Sequence, residues 1–335
     1  MTALRSKREA RPTSVLVLSH EEVERLLDMP GCMEAMERAL VALARGEFHL
    51  PLRQVVRPPG ESSFFGLMPT HRAGSRPLYG LKTNAVFPNN PSQGLDRHQG
   101  SVILYDGTTG EVAAIMNATP ITAIRTAAVS GVATRALARE DARELAIVGA
   151  GYQAHAHLAA MLEARQFERI RIASRTYESA QLLAAEWPLA SAVETAEEAV
   201  RGADVVCTVT SSAEPVVLGE WLKPGAHVNA VGACFPHTRE LDGAAVARGS
   251  LVVDRRESAE HEAGDYLLAM QEGAITAGHI KAELGEVLAG TAPGRTAEDE
   301  ITVFESLGLA VEDLAAAEYL ERRARESGAG TTVEF

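Results

Sequence analysis

The sequence contains few cysteines and no long apolar run. Its three cysteines among 335 residues stand far apart, at positions 32, 207 and 234. This scatter excludes a disulfide framework or a CxxC metal site and favours a reducing compartment, so we expect a cytoplasmic protein. No stretch approaches the roughly eighteen uninterrupted apolar residues of a membrane-spanning helix. The apolar run at 15–18 is too short for a signal peptide, and we interpret residues 1–13 as a solvated tail.

Basic residues are fewer than acidic ones. The sequence has 32 Lys and Arg against 45 Asp and Glu, a formal net charge of −13. Such a charge repels phosphate backbones, so we expect no nucleic-acid partner. The 46% hydrophobic and 23% charged residues are ordinary for a globular protein, and the length suggests about two domains.

The two halves of the chain differ in pattern. In the first half, a helix start at residue 19 and a helical stretch over 33–44 precede strand candidates at 54–57, 63–68, 78–86, 100–105 and 111–116. Glycines in the turn at 106–110 are typical of a hairpin, so this half predicts a mainly antiparallel sheet with flanking helices. After a helix near 122–138, apolar runs at 145–148, 170–173, 205–209, 228–231 and 251–253 alternate with helical segments. That alternation predicts an α/β fold with a doubly wound parallel sheet.

A glycine-rich turn follows the first of these runs. The sequence Gly149-Ala150-Gly151-Tyr152-Gln153-Ala154 lies between a predicted strand and a predicted helix. Gly149 permits the tight turn, Gly151 lets a pyrophosphate approach, and Ala154 lets the helix pack closely on the sheet. We therefore predict a Rossmann dinucleotide site with Gly149, Gly151, Tyr152, Gln153 and Ala154 as contacts. A glycine turn without a ligand is the alternative.

The next run ends in Ser174, Arg175 and Thr176, without the acidic residue that binds a ribose 2′-hydroxyl. A guanidinium pairs well with a 2′-phosphate, so we predict NADP(H) in preference to NAD(H), with NAD(H) still possible. Alternatively, Arg175 stacks on adenine or lies in solvent. Further cofactor candidates stand at the carboxyl ends of two later runs: Thr210, Ser211, Val231 and Gly232.

Three basic residues stand in apolar or small-residue surroundings, namely Arg53, Lys82 and Arg125. A buried cation without a partner is costly, and a bound carboxylate would supply one. Structural ion pairs are the competing explanation for each of them. Three such cations together make a shared anion more plausible.

Several segments, in this order, resemble the ornithine cyclodeaminase and mu-crystallin family: GLMP at 66–69, GLK at 80–82, ITAIRTAAVS at 121–130, the turn at 149–154, residues 229–240, EITVF at 300–304 and SLG at 306–308. The resemblance implies a homodimer with a mixed α+β substrate-binding and dimerisation domain at 14–120 and 311–335, and a Rossmann domain at 121–310. It also implies that Arg53, Lys82 and Arg125 hold a substrate carboxylate. From the same segments we take Met68 and Gly308 as substrate contacts and Thr126 as a cofactor contact.

Two departures from the family pattern bear on the reaction. Cyclodeaminases of the family carry Glu and Asp where this chain has Gly66 and Cys234. Cyclodeamination needs proton transfer and orientation at both positions, so their absence argues against it. Mu-crystallin-like ketimine reductases are similar at these positions and favour NADPH. We predict reduction of a cyclic ketimine carboxylate to the L-amino acid.

Other interpretations stay open. Cys234 is a candidate catalytic residue, although a small polar wall of the pocket suits it better than a nucleophile, since no His and acid partners are identifiable nearby. Histidines lack metal-ligand spacing such as HExxH, so we expect no metal. Alternative functions are cyclodeamination of ornithine or lysine, dehydrogenation of alanine or another amino acid, and cofactor holding without turnover.

Overall fold

The computed structural model describes residues 14–335, except for the side chain of Pro91. The tail that we predict over residues 1–13 lies outside this range. The described chain forms two eight-stranded sheets with helices packed against them, which confirms the predicted fold class. No helix within residues 14–335 is both long enough and apolar enough to cross a lipid bilayer.

The first sheet is mainly antiparallel, as predicted for this half of the chain. Its strands are β1 Ser14–Leu18, β2 Phe48–His49, β3 Gln54–Val56, β4 Phe64–Arg72, β5 Leu78–Val86, β6 His98–Asp106, β7 Val112–Asn117 and, from the end of the chain, β16 Thr331–Glu334. They lie in the order β16-β1-β7-β6-β5-β4-β2, with β3 paired to β4. The pair of β1 with β7 is parallel. The predicted hairpin turn joins β6 to β7, where Asp106 accepts two backbone N–H groups.

The second sheet is parallel throughout. Its strands are β8 Glu144–Val148, β9 Arg169–Ala173, β10 Ala190–Ala192, β11 Val205–Thr208, β12 His227–Ala230, β13 Gly249–Val253, β14 Ile280–Glu283 and β15 Ile301–Glu305. They lie in the order β10-β9-β8-β11-β12-β15-β13-β14. The apolar runs predicted five of these strands. The last strand of this sheet along the chain, β15, inserts between β12 and β13 and carries the segment after it to the carboxyl edge of the sheet.

Eleven α-helices surround these sheets within residues 14–335: α1 His20–Leu26, α2 Met29–Ala44, α3 Ala118–Leu137, α4 Tyr152–Ala164, α5 Tyr177–Ala185, α6 Ala196–Val200, α7 Gly243–Arg248, α8 Arg256–Glu262, α9 Gly264–Gln271, α10 Leu284–Leu288 and α11 Ala310–Ser327. The predicted start at Ser19 is a capping box with Glu22. Helix α2 begins before the predicted residue 33, because Asp28 caps it and Pro30 favours its first turn.

Helix α3 joins the two halves of the chain. It is apolar on nearly all sides because it packs between α2 and α4 and contacts strands of both sheets. Helix α11 returns from the second sheet and packs on β4, β5 and β6. The segment before it, residues 306–309, therefore connects the carboxyl edge of the parallel sheet with the first sheet. The division into domains at 14–120 with 311–335 and at 121–310 stays a prediction.

Candidate active site

The glycine-rich turn between β8 and α4 has the geometry of a phosphate-binding loop. Gly149 has φ +120°, and a Cβ there would lie 2.8 Å from the carbonyl oxygen of Val209. A Cβ at Gly151 would meet no atom within 4 Å, so this residue borders open space. No side chain caps the N-terminus of α4, and its first N–H groups are available to an anion. Ala154 is fully buried against the sheet.

A cleft of about 710 Å³ extends from this turn across the carboxyl edge of the sheet. Its volume suits a nucleotide-sized ligand. Seven of the predicted cofactor contacts line it: Gly149, Gly151, Ser174, Arg175, Thr176, Thr210 and Ser211. These residues offer backbone N–H groups, hydroxyl groups and one guanidinium to the phosphates, riboses and bases of a ligand. They therefore fit a dinucleotide.

Arg175 lies at the rim of this cleft. Its side chain is exposed, and it has no ion-pair partner among residues 14–335. The hydroxyl groups of Ser174 and Thr176 flank it in sequence. The arrangement leaves a free guanidinium facing the mouth of the cleft.

The other predicted cofactor contacts are not among the residues that line this cleft. Thr126 donates its hydroxyl to the Thr122 carbonyl at 2.6 Å, within α3. The Tyr152 hydroxyl donates to Glu24 at 3.4 Å, away from the cleft. Gln153 has a buried Oε1 atom without a partner in the described chain. Three candidates remain: Ala154 and Val231 are buried, and a Cβ at Gly232 would lie 2.0 Å from the carbonyl oxygen of Thr210.

Glu240 is a residue that the sequence analysis missed. Its buried carboxylate accepts the Thr208 hydroxyl at 2.8 Å, the Thr210 N–H at 2.5 Å and the Gly232 N–H at 2.6 Å. It thereby ties the turn after β11 to the turn after β12. Only the tertiary structure brings Glu240 to these turns, so no local sequence signal could have identified it.

The three predicted cations come together beside the segment that follows β15. The Lys82 ammonium lies 3.1 Å from Oδ1 of Asp313, and the Arg125 Nε lies 3.0 Å from the same oxygen. Arg53 donates to the carbonyl oxygens of Leu307 and Gly308 at 2.8 and 3.2 Å. The prediction of one shared cationic site therefore has a geometric basis.

Each cation also has a carboxylate of the protein itself, so the competing explanation of structural ion pairs holds for all three. Arg53 pairs with Glu262 at 2.9 Å, and Arg125 also pairs with Glu312 at 2.6 Å. Burial lowers the pKa of Lys82 to about 8, although Asp313 opposes the shift. Burial raises the pKa of Glu312 to about 7 against the pull of Arg125. Near neutral pH the cluster can thus carry a positive charge.

The predicted substrate contacts Met68 and Gly308 lie beside these cations. Met68 is the cross-strand partner of Lys82, and a small pocket is lined by Arg53, Met68, Glu262 and Gly308. Gly308 has φ +78°, and a Cβ there would lie 2.5 Å from Nη1 of Arg125. A side chain at residue 308 would therefore displace this guanidinium.

Cys234 lies in the turn after β12, half-buried. Burial raises the pKa of its thiol, and the nearby Arg53 only partly offsets this. A thiol with a raised pKa is a poor nucleophile, which favours the interpretation as a polar wall. Within residues 14–335, no group of three or more His, Cys, Asp or Glu side chains is placed to hold a metal ion.

The chain is similar to several known proteins. A sequence model of the "Ornithine cyclodeaminase/mu-crystallin family" matches residues 13–328. The ketimine reductase mu-crystallin of Mus musculus is 40% identical over 308 residues, covering 90% of this chain and 94% of that protein.

Two solved structures are also similar. The Thermococcus litoralis Δ1-pyrroline-2-carboxylate reductase, in complex with NADH and L-proline, has a TM-score of 0.92 and 38% identity, covering 95% of this chain and 100% of that one. An archaeal alanine dehydrogenase dimer with bound NAD has a TM-score of 0.91 and 34% identity, covering 96% and 100%.

Proposed function

The chain belongs to the ornithine cyclodeaminase/mu-crystallin family, and we propose that it reduces the C=N bond of an imino acid to the L-amino acid with NAD(P)H. One observation carries the assignment of the site. Arg53, Lys82 and Arg125 converge with Gly308 beside the carboxyl edge of the same parallel sheet whose glycine turn borders the nucleotide-sized cleft. A carboxylate site and a dinucleotide site thus lie at one edge of the sheet.

Each part of the chain has a defined task in this reaction. When bound in the cleft, NAD(P)H supplies the hydride. The three cations hold the substrate carboxylate and fix the direction in which the C=N carbon faces. Because the cations are already paired and mostly buried, they are oriented before the substrate arrives, and orientation contributes a large share of the rate.

The substrate is proposed to be a cyclic ketimine carboxylate. Gly66 and Cys234 stand where cyclodeaminases of the family carry carboxylates, so this chain lacks the groups that ring closure of a diamine needs. Gly66 is buried in β4 and Cys234 is half-buried. The hydrogen of Gly66 and the neutral thiol of Cys234 are smaller than carboxylate side chains. They leave room for a ring and add no charge to the site.

The preferred cofactor is proposed to be NADP(H). The exposed guanidinium of Arg175 at the rim of the cleft supports this preference, since it is free to pair with a 2′-phosphate. The NAD(H) found with the two similar structures means that the family also accepts a cofactor without that phosphate.

The protein is proposed to be a homodimer through the outer face of its first sheet. One face of this sheet packs on α3 and α11. The other face exposes the side chains of Val56, Phe65 and Tyr79, which share one side of the sheet by register. An apolar sheet face of this kind marks an interface, and the similar alanine dehydrogenase is a dimer.

A cytoplasmic location is likewise a proposal. Cys32 and Cys207 are buried as free thiols, and Cys234 is also free. Free cysteines of this kind are typical of proteins in a reducing compartment.

The experiment that tests the function is turnover of purified protein with a panel of five- and six-membered cyclic imino acids and either NADPH or NADH. We expect consumption of the reduced cofactor in a one-to-one ratio with formation of the L-amino acid. Release of ammonia from ornithine or lysine without added reductant would instead identify a cyclodeaminase. Cofactor binding without turnover of any member would indicate a cofactor-holding protein.

A further inference from the structure

A buried glutamate occupies the carboxyl end of the central strand β15. Glu305 pairs in register with Ala230 at the end of β12 and with Val253 at the end of β13. Its side chain is 1% exposed, and its Oε1 atom has no hydrogen-bond partner within residues 14–335. The hydroxyl of the next residue, Ser306, is also buried and unpartnered there. Two unpartnered polar groups thus stand together at the edge of the sheet where ligands bind in doubly wound folds.

The ionisable groups facing Glu305 from the surrounding elements are acidic. They are Asp265 of α9, Glu240 of the loop before α7, Asp254 after β13 and Cys234 after β12. Buried acidic groups that repel one another cannot all be ionised, so at least one of them must keep its proton.

The hydrogen bonds distinguish Glu305 from its three carboxyl neighbours. Asp254 accepts the N–H groups of Leu307 and Gly308 at 2.7 and 2.8 Å, and Asp265 accepts two backbone N–H groups at 2.8 Å. Glu240 accepts three donors, as described above. Burial raises the pKa of all three groups, and Oδ2 of Asp265 is itself unpartnered, but the donors oppose the rise because they stabilise the charged form. No hydrogen bond reaches the carboxyl of Glu305 in the described chain, so nothing there opposes the rise in the same way. Burial and the three acidic neighbours raise the pKa of Glu305 well above its usual value.

The reaction needs such a proton. When a hydride adds to the carbon of a C=N bond, the π electron pair moves to nitrogen, and the nitrogen must take up one proton. Glu305 stands two residues before Leu307, whose carbonyl oxygen accepts Arg53 at 2.8 Å and whose N–H donates to Asp254. The charges of Cys234 and Asp254 also act on its carboxyl group. Glu305 is thus a buried acid in the segment that leads directly into the proposed substrate site.

We propose that the carboxyl group of Glu305 supplies the proton that imine reduction consumes. The O–H bond of Glu305 breaks as the N–H bond of the product forms, and the carboxylate left behind is reprotonated from water before the next cycle. In the reverse direction the same carboxylate accepts the proton of the amine. The inference rests on the proposed function, because the proton is the one that reduction of a C=N bond consumes.

The test uses Glu305→Gln, which has the shape of a neutral glutamic acid but no proton to give. We expect kcat for imino-acid reduction to fall by about a hundredfold or more, as for loss of a general acid, while NAD(P)H affinity and thermal stability stay unchanged. Glu305→Asp should recover part of the loss. Glu321→Gln, a buried glutamate of α11 paired with Arg76 and Arg325, should keep wild-type turnover.

A second measurement needs neither substrate nor cofactor. At neutral pH the infrared spectrum should contain a protonated carboxylic-acid C=O component that Glu305→Gln lacks and Glu321→Gln keeps. This component adds to that of Glu312, which is partly protonated at this pH because its pKa is about 7. Wild-type turnover by Glu305→Gln, or a carboxylic-acid band unchanged in it, would overturn the proposal. Absence of any imino-acid turnover by the wild type, with the band still lost in Glu305→Gln, would overturn the proposed function instead.

Discussion

The ammonium group of Lys82 and the carboxylate of Asp313 lie 3.1 Å apart in the core between β5 and α11. The same carboxylate oxygen accepts the Arg125 guanidinium at 3.0 Å, so one aspartate holds two cations. This arrangement keeps two positive groups close together without a ligand. Burial lowers the pKa of Lys82 to about 8, so the charge of Lys82 depends on pH close to neutrality, whereas Arg125 stays charged.

The first prediction concerns that pH dependence. The Lys82 pKa of about 8 means that Lys82 loses its charge above pH 8, and the Glu312 pKa of about 7 means that Glu312 gains a negative charge above pH 7. Both changes weaken the binding of an anion as pH rises. We expect the Kd of a ring carboxylate without a titrating nitrogen, such as cyclopentanecarboxylate, to increase about tenfold between pH 7 and pH 9. Calorimetric titration measures it, and a Kd independent of pH would exclude these two groups from the site.

The second prediction concerns the cofactor. Arg175→Asp replaces the free guanidinium at the rim of the cleft with a carboxylate. We expect NADPH affinity to fall about tenfold or more, since a charge-assisted hydrogen bond contributes about 1.5–3 kcal/mol, while NADH affinity stays the same or improves. Fluorescence titration with both cofactors measures this. Arg169→Asp, at the other end of β9, is the matched control. Equal affinity for the two cofactors before and after the change would show that the 2′-phosphate assignment is wrong.

The third prediction concerns Glu240. Glu240→Gln presents an amide N–H₂ group to at least one of three donors, so the turns after β11 and β12 lose a shared acceptor. We expect the Kd for NAD(P)H to rise about tenfold, because an unsatisfied buried donor costs about 1–3 kcal/mol. Glu220→Gln, an exposed substitution, serves as the control. Unchanged cofactor affinity in Glu240→Gln would mean that these turns do not form part of the cofactor site.

The fourth prediction concerns assembly. Tyr79→Glu places a charge on the exposed apolar face of the first sheet. We expect sedimentation velocity at micromolar concentration to show a dimer for the wild type and a monomer for this variant, because a buried unpaired charge is costly. Leu182→Glu, on a residue of α5 that is also exposed, should leave the dimer intact. A wild-type protein that sediments as a monomer would contradict the proposal.

Much of the fold could be predicted from local sequence patterns. Alternation of short apolar runs with helices predicted a parallel sheet, and the glycine turn identified its ligand edge, because both features depend on local backbone geometry. The strand β15 was recognised only as a motif, since its place between β12 and β13 follows from tertiary pairing. The start of α2 was set by Asp28 and Pro30 rather than by apolar periodicity.

The sequence predicted the basic residues of the candidate site but not its acidic residues. Arg53, Lys82 and Arg125 stand out because each interrupts an apolar segment. Their partners Glu262, Glu312 and Asp313 lie in helical segments rich in charge, where a carboxylate that faces the core looks like one that faces solvent. Glu240 and Glu305 lie outside helices and were missed for another reason, because their importance depends on neighbours distant in sequence.

The most direct test of this account is a comparison of turnover and cofactor affinity in Lys82→Met. Methionine fills the space of the lysine stem, and Asp313 keeps its bond to Arg125. Loss of one partner of a buried charge pair typically costs about 2–5 kcal/mol, so we expect kcat/KM for the imino acid to fall about a hundredfold or more. NAD(P)H affinity should be that of the wild type. Lys223→Met removes a lysine that is likewise paired with an aspartate, Asp204, but at the amino edge of the sheet, and it should behave as wild type. Near-normal turnover in Lys82→Met, or loss of cofactor binding together with turnover, would show that Lys82 is structural and that the substrate binds elsewhere.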